Sequence, residues 1–102
     1  GTQTRESVDV GVAYGSDVEL VRKLLLQSAS THPDVISEPE PVVLFTNFGD
    51  SSLNFKLVFT LNDSFKATFP KSDIRFEIDR LFRENNITIP FPQRDIHIIE
   101  KK

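Results

Sequence analysis

Nine consecutive residues, Leu53 to Leu61, read LNFKLVFTL, and every odd position is large and apolar: Leu53, Phe55, Leu57, Phe59 and Leu61. The even positions carry Asn54, Lys56, Val58 and Thr60. Side chains alternate across a β-strand with a period of two, and no helix can gather those five residues on one side. This run therefore demands a sheet with one face in a core, and other parts of the chain must cover that face.

A second alternating run, SVDVGVAY, puts Val8, Val10 and Val12 on one face and Ser7, Asp9, Gly11 and Ala13 on the other. VVLFTNF is apolar on both faces, with Val42, Leu44 and Phe48 opposite Val43 and Phe45. A strand covered on one side only has no need of that, so its second face calls for cover from another subunit or domain, or from a helix of this chain. The cover for the core face comes from two helical patterns. Val18, Val21, Leu24, Leu25 and Ser28 recur at helical spacing, with Ser16 and Glu19 predicted as a capping box, Glu19 and Lys23 as an outward pair, and Pro33 beyond the end. From about Phe69 to Asn86, Ile74, Ile78, Leu81 and Phe82 form a stripe, while Arg75–Asp79, Asp79–Arg83 and Arg80–Glu84 are spaced to pair on the outer face. Asparagine is tolerated in the left-handed cap that "NN" would supply.

The tail ITIPFPQRDIHIIEKK begins with Pro90 and Pro92, which make residues 87 to 93 stiff and extended. A last alternating strand follows, with Ile96 and Ile98 opposite Asp95, His97 and Ile99. The order βαββα(β) predicts an α+β, ferredoxin-like sandwich with two helices on one face of an antiparallel sheet, whose last strand either returns to the sheet or leaves the domain. The expected divisions are a disordered lead-in or tag remnant at 1–6, the α/β domain at 7–93, and a C-terminal strand and tail at 94–102. Gly1 opens a sequence with no methionine, so the chain is expected to be a piece of a longer protein.

Composition narrows the chemistry. The chain has 102 residues, 38% of them hydrophobic, which suits one compact soluble domain. It has no cysteine, which removes thiolate metal sites and cysteine nucleophiles. Two histidines 65 positions apart and four scattered glycines leave no metal, cofactor or phosphate-loop pattern. A formal charge of −3 argues against nucleic acid. Glu38 and Glu40, in the proline-rich SEPEP, read as a solvated connector.

One stretch invites an enzymatic reading. NFGDSSLNF carries Gly-Asp-Ser near Leu, a block that marks a family of serine hydrolases. That family places its Asp and His as Asp-x-x-His and its serine block near the start of a larger domain. Here Asp95 and His97 are two apart and Ser51 lies mid-chain between strands. No catalytic residue is expected. Gly49, Asp50, Ser51 and Ser52 are predicted to form a hairpin turn, with glycine allowing the bend and Asn54 adding a polar contact. An RNA-binding fold shares the βαββαβ order and stacks bases on strand aromatics, but Phe55 and Phe59 share a face with three leucines, which is a core pattern. A small-solute regulatory module of the same topology is the other alternative.

Three segments, VGVAYGSDVELVRKLLL, VLFTNFGDSSLNFKL and NNITIPFPQRDIHI, occur in an order and spacing that closely resembles the C-terminal cytoplasmic domain of the small-conductance mechanosensitive channel family. One departure is ENN at 84–86, where many members have a glycine just before the proline segment. The resemblance implies a structural, oligomerising module of a channel opened by bilayer tension, on the cytoplasmic side of the bacterial inner membrane. Transmembrane helices and a β domain would lie upstream. Identical subunits, seven in the family, would form a hollow cage. The segment after IPFPQ would leave for a barrel shared between subunits. Pro90, Phe91, Pro92, Gln93, Arg94 and Asp95 are thus the expected exit segment or subunit interface. The domain itself would touch neither membrane nor nucleic acid.

Overall fold

The computed structural model describes residues 3–62 and 67–92. Its elements are β1 (Thr4–Val12), α1 (Val18–Ser30), β2 (Val42–Phe48), β3 (Leu53–Leu61) and α2 (Thr68–Glu84). They build the expected α+β sandwich: three strands in the order β1-β3-β2, both pairings antiparallel, with the helices on one face. The last strand expected within 94–102 lies outside the described residues, as do Gln93, Arg94, Asp95 and His97.

The strictly alternating run becomes the central strand. Leu53, Phe55, Leu57, Phe59 and Leu61 are all buried, and Phe59 is wholly so. Val8 and Val12 join them from β1. Val21, Leu24, Leu25 and Ala29 of α1 close over β2 and β3, while Ile74, Ile78, Leu81 and Phe82 of α2 close over β1. Full burial of each such Leu, Ile or Phe stabilises by about 1.5–3 kcal/mol, which makes this single layer of contacts the main source of stability.

The ends of the elements differ from expectation at three points. β1 starts at Thr4, ahead of the alternation seen from Ser7, and the expected disordered lead-in at 1–6 is corrected from Thr4 onward, because Thr4, Arg5 and Glu6 pair with Leu61, Thr60 and Phe59. Helix α1 is capped by Asp17, whose carboxylate accepts from the backbone N–H groups of Glu19 and Leu20 at 3.1 Å each. Ser16 instead donates its hydroxyl to the Ala13 carbonyl at 2.7 Å, so the predicted capping box is replaced by an aspartate cap one residue later. On the outer face of α1, Glu19 pairs with Arg22 at 3.5 Å in place of Lys23.

Helix α2 ends as its asparagines suggest. Asn86 holds the left-handed conformation at φ 58°, the Ile87 N–H bonds the Phe82 carbonyl at 2.9 Å, and Ile87 packs on the core. This is the double hydrogen-bonded cap usually built on glycine, with asparagine in the glycine's place. Along the outer face, Arg83 bonds Asp79 and Arg80 bonds Glu84, each at 2.7 Å. Arg80 also forks onto Glu77, whereas the predicted Arg75–Asp79 pair is absent and Arg75 makes no ion pair with any described residue.

Candidate functional site

The β2–β3 hairpin is built from backbone and small side chains. The Gly49 N–H donates to the Ser52 carbonyl at 2.8 Å, closing the turn, and the Tyr14 hydroxyl donates to the Gly49 carbonyl from the far side of the sheet. Ser52 Oγ donates to Asn54 Oδ1 at 2.6 Å, and Thr46 Oγ1 to the Asn54 carbonyl at 3.1 Å. Glycine at 49 is needed for space rather than for a special backbone angle. A Cβ there would stand 2.7 Å from Asn54 Nδ2 and 2.9 Å from the Ser52 carbonyl oxygen, and the residue is not in the left-handed region. The backbone-freedom expectation for Gly49 is corrected accordingly.

A serine nucleophile requires a base in reach. The His32 ring has both nitrogens engaged elsewhere: Nδ1 accepts from the Asp34 N–H at 3.1 Å, and Nε2 lies 2.9 Å from Asp73 Oδ2. It joins the end of α1 to α2, a structural task. Among the described residues no group of three or more His, Asp or Glu is placed to hold a metal. The hollow beside Ser30, Val35, Ile36, Ser37, Glu40 and Pro41 measures about 150 Å³. The roomier ones beside Arg5 and Lys56, about 300 Å³, and beside Arg75 and Phe76, about 360 Å³, lie open on the surface, unlike the concave sites that bury most of a ligand. Phe55 and Phe59 are buried and offer no stacking platform to a base.

What the molecule does present is apolar surface at its two sheet edges. β2 is an edge strand, and Val42, Leu44, Phe45 and Phe48 are all exposed, Phe48 by 72%. A bulge between Phe45 and Asn47 shifts the register, so Phe48 pairs with Leu53 and comes onto the same face as Phe45. The two rings lie 5.0 Å apart, and Phe45 stacks on Phe55 at 4.6 Å. The simple alternation that set Phe48 beside Val42 and Leu44 fails at this bulge. Its trace in the sequence is two phenylalanines three residues apart within a strand.

The opposite edge is β1. Among the described residues its free side makes one backbone bond, from the Ala13 N–H to the Thr88 carbonyl at 2.9 Å. Below that bond an open groove of about 270 Å³ runs between β1 and α2, lined by Val8, Val10, Gly11, Ile78 and Ile89 with Arg75, Asp9 and Asp79 at its rim. Of the predicted exit segment, Pro90 is half-buried, while Phe91 and Pro92 are exposed, Phe91 by 85%. Phe76, on the outer face of α2, is 76% exposed.

Charge on α2 is organised by Arg80. Its hydrogen bond holds the Glu77 carboxyl below the ordinary glutamate range, against a small opposing effect of burial, and its charge adds to the lowering. Glu77, then Glu84, in turn raise the Arg80 guanidinium. Among the described residues no helix is long and apolar enough to cross a membrane.

The accessible chemistry of this α+β domain therefore lies on its surfaces, in two apolar sheet edges of different shape. Residues 6–89 match the family model described as "Mechanosensitive ion channel MscS, C-terminal", and the chain belongs to that family. It is 43% identical over 101 residues to the mechanosensitive channel MscK of Escherichia coli, covering 99% of this chain and 9% of that protein. It is 41% identical over 97 residues to an uncharacterized MscS family protein of Haemophilus influenzae, covering 95% of this chain and again 9% of the relative. The crystal structure of Helicobacter pylori MscS in its closed state superposes with a TM-score of 0.86 at 30% identity, over 99% of this chain and 40% of that one. The chain thus spans less than a tenth of the length of these two relatives.

Proposed function

We propose that this chain is the cage-building C-terminal module of a membrane-tension-gated channel, a scaffold with no catalytic step of its own. The module would lie on the cytoplasmic side of the inner membrane and associate with identical copies, seven in the complete ring. The folded unit would begin with β1 at Thr4 and run to about residue 93. Gly49, Asp50, Ser51, Ser52 and Asn54 would form a rigid corner, and the segment from Pro90 onward would lead towards neighbouring subunits.

The observation that supports this most directly is β2, an apolar strand left uncovered in a domain that buries the apolar face of its central strand. Uncovered strand edges of this kind are aggregation hazards in a lone domain and contact surfaces in an assembly. Patch recordings on the full-length protein in liposomes test the reading: pressure-activated conductance is expected, with a native mass of a seven-subunit ring. A protein that assembles but conducts nothing under tension would overturn the channel function. Hydrolysis of an ester substrate, lost in Ser51→Ala, would overturn the scaffold role.

A further inference from the structure

The two sheet edges are unlike each other, and the register sets them level. Val8 and Val43 pair with the same residue, Leu57, and Val10 and Phe45 both pair with Phe55. Val12 and Phe48 both pair with Leu53. The aromatic residues of β2 and the groove residues of β1 therefore stand at the same heights on opposite sides of the sheet. They also point to the same face, the one carrying the helices, because each is opposite an inward-facing residue of β3.

We infer that these edges are the two halves of one heterologous contact: Phe45 and Phe48 of one copy seat against the groove between β1 and α2 of the next. The inference rests on the proposal that identical subunits form a ring. A contact between two different patches is what a closed ring of more than two copies requires, since a self-complementary patch stops at a dimer. A rotation about an axis along the strands would carry β2 of one copy to β1 of its neighbour without a change of height. Phe45 would then arrive at the level of Val10, under the groove wall formed by Ile78, and Phe48 would meet Ile89. Groove and ridge are both apolar, so their contact removes exposed hydrophobic surface from water on both sides.

Charge does not choose the pairing, because the groove rim carries Asp9 and Asp79 as well as Arg75; the match of apolar ridge to apolar groove at equal heights carries it.

The test uses the absence of cysteine from residues 1–102. In the full-length protein, with any cysteine elsewhere replaced, Phe48→Cys and Ile89→Cys are made as separate single variants and co-assembled. Both positions are exposed, so folding is not at stake. Mild oxidation of the mixture is expected to give a disulfide-linked dimer, which neither single variant gives alone, and the variant carrying both cysteines should give a ladder up to the ring size. Within one chain the two positions are about three strand spacings apart, roughly 14 Å, beyond the reach of a disulfide. A ring of normal native mass with no dimer in the mixture overturns the contact and leaves the ring reading standing. A monomeric wild-type protein removes the ring reading and this contact together.

Discussion

β2 and β3 are neighbours joined by a four-residue turn, both rich in phenylalanine, leucine and valine, yet they have opposite fates. In β3 every odd residue is buried between the sheet and the helices. In β2 only Val43 is even partly covered, and four large apolar residues, on both faces of the strand, are left exposed. Apolar content did not decide this. Position in the sheet did, since the central strand has a strand on each side, while β2 has one only on the side of β3. The same kind of residue thus supplies folding stability in one strand and contact surface in the other.

The sharpest way to break that contrast is a pair of alanine substitutions. Phe59→Ala should cost about 3–5 kcal/mol of unfolding free energy, and Phe48→Ala less than about 0.5 kcal/mol, both read by urea denaturation. A large loss from Phe48→Ala would mean that β2 contributes to the core after all. Next comes the turn between the strands. Gly49→Ala forces a Cβ against Asn54 and the Ser52 carbonyl and should cost about 1–3 kcal/mol. Adding Asn54→Ala should recover only part of the loss, because the backbone clash remains.

Smaller still is the cap of α1, the helix that lies over β2 and β3. Asp17→Ala is expected to destabilise by about 1 kcal/mol, and Ser16→Ala by less. The reverse order, measured by thermal melts, would restore the serine capping box. The smallest effect belongs to the outer face of α2, which contributes to neither strand. Arg80→Ala should lower the melting temperature slightly at neutral pH, and salt at about 1 M should erase the difference by screening. Because the Glu77 carboxyl is lowered in the folded state, its stabilisation is present above the ordinary glutamate range near pH 4.3 and is lost as pH falls through the lowered value. The gap between wild type and Arg80→Ala should therefore close on acidification. A gap that widens at low pH would contradict the assigned sign.

Much of the fold was legible because its periodicities are clean. The alternation of β1 and β3 and the stripes of α1 and α2 named almost the whole core in advance. The asparagine cap was legible too, since few residues tolerate a left-handed backbone and Asn86 is one of them. Phe48 was misplaced because a bulge adds one residue to a strand, and a period-two reading has no place for it. Ser16 and Asp17 are adjacent polar residues that both suit a cap, and only backbone geometry selects Asp17. Tyr14 was not assigned to the hairpin, because it reaches Gly49 across 35 positions and no local pattern records that contact.

The amino-acid order on its own determined which residues go inside, where the chain turns, and, through the shared blocks around the hairpin and the proline segment, its family. These are local or inherited features, written as periods and short motifs. Only the tertiary structure decided that the most alternating strand is central and the most continuously apolar one is at the edge. It also decided that an aromatic ridge and a groove stand level on opposite sides of the sheet. Strand order and register come from how helices and strands pack across long separations in sequence, and a surface exists only once that packing has chosen which apolar residues are left outside.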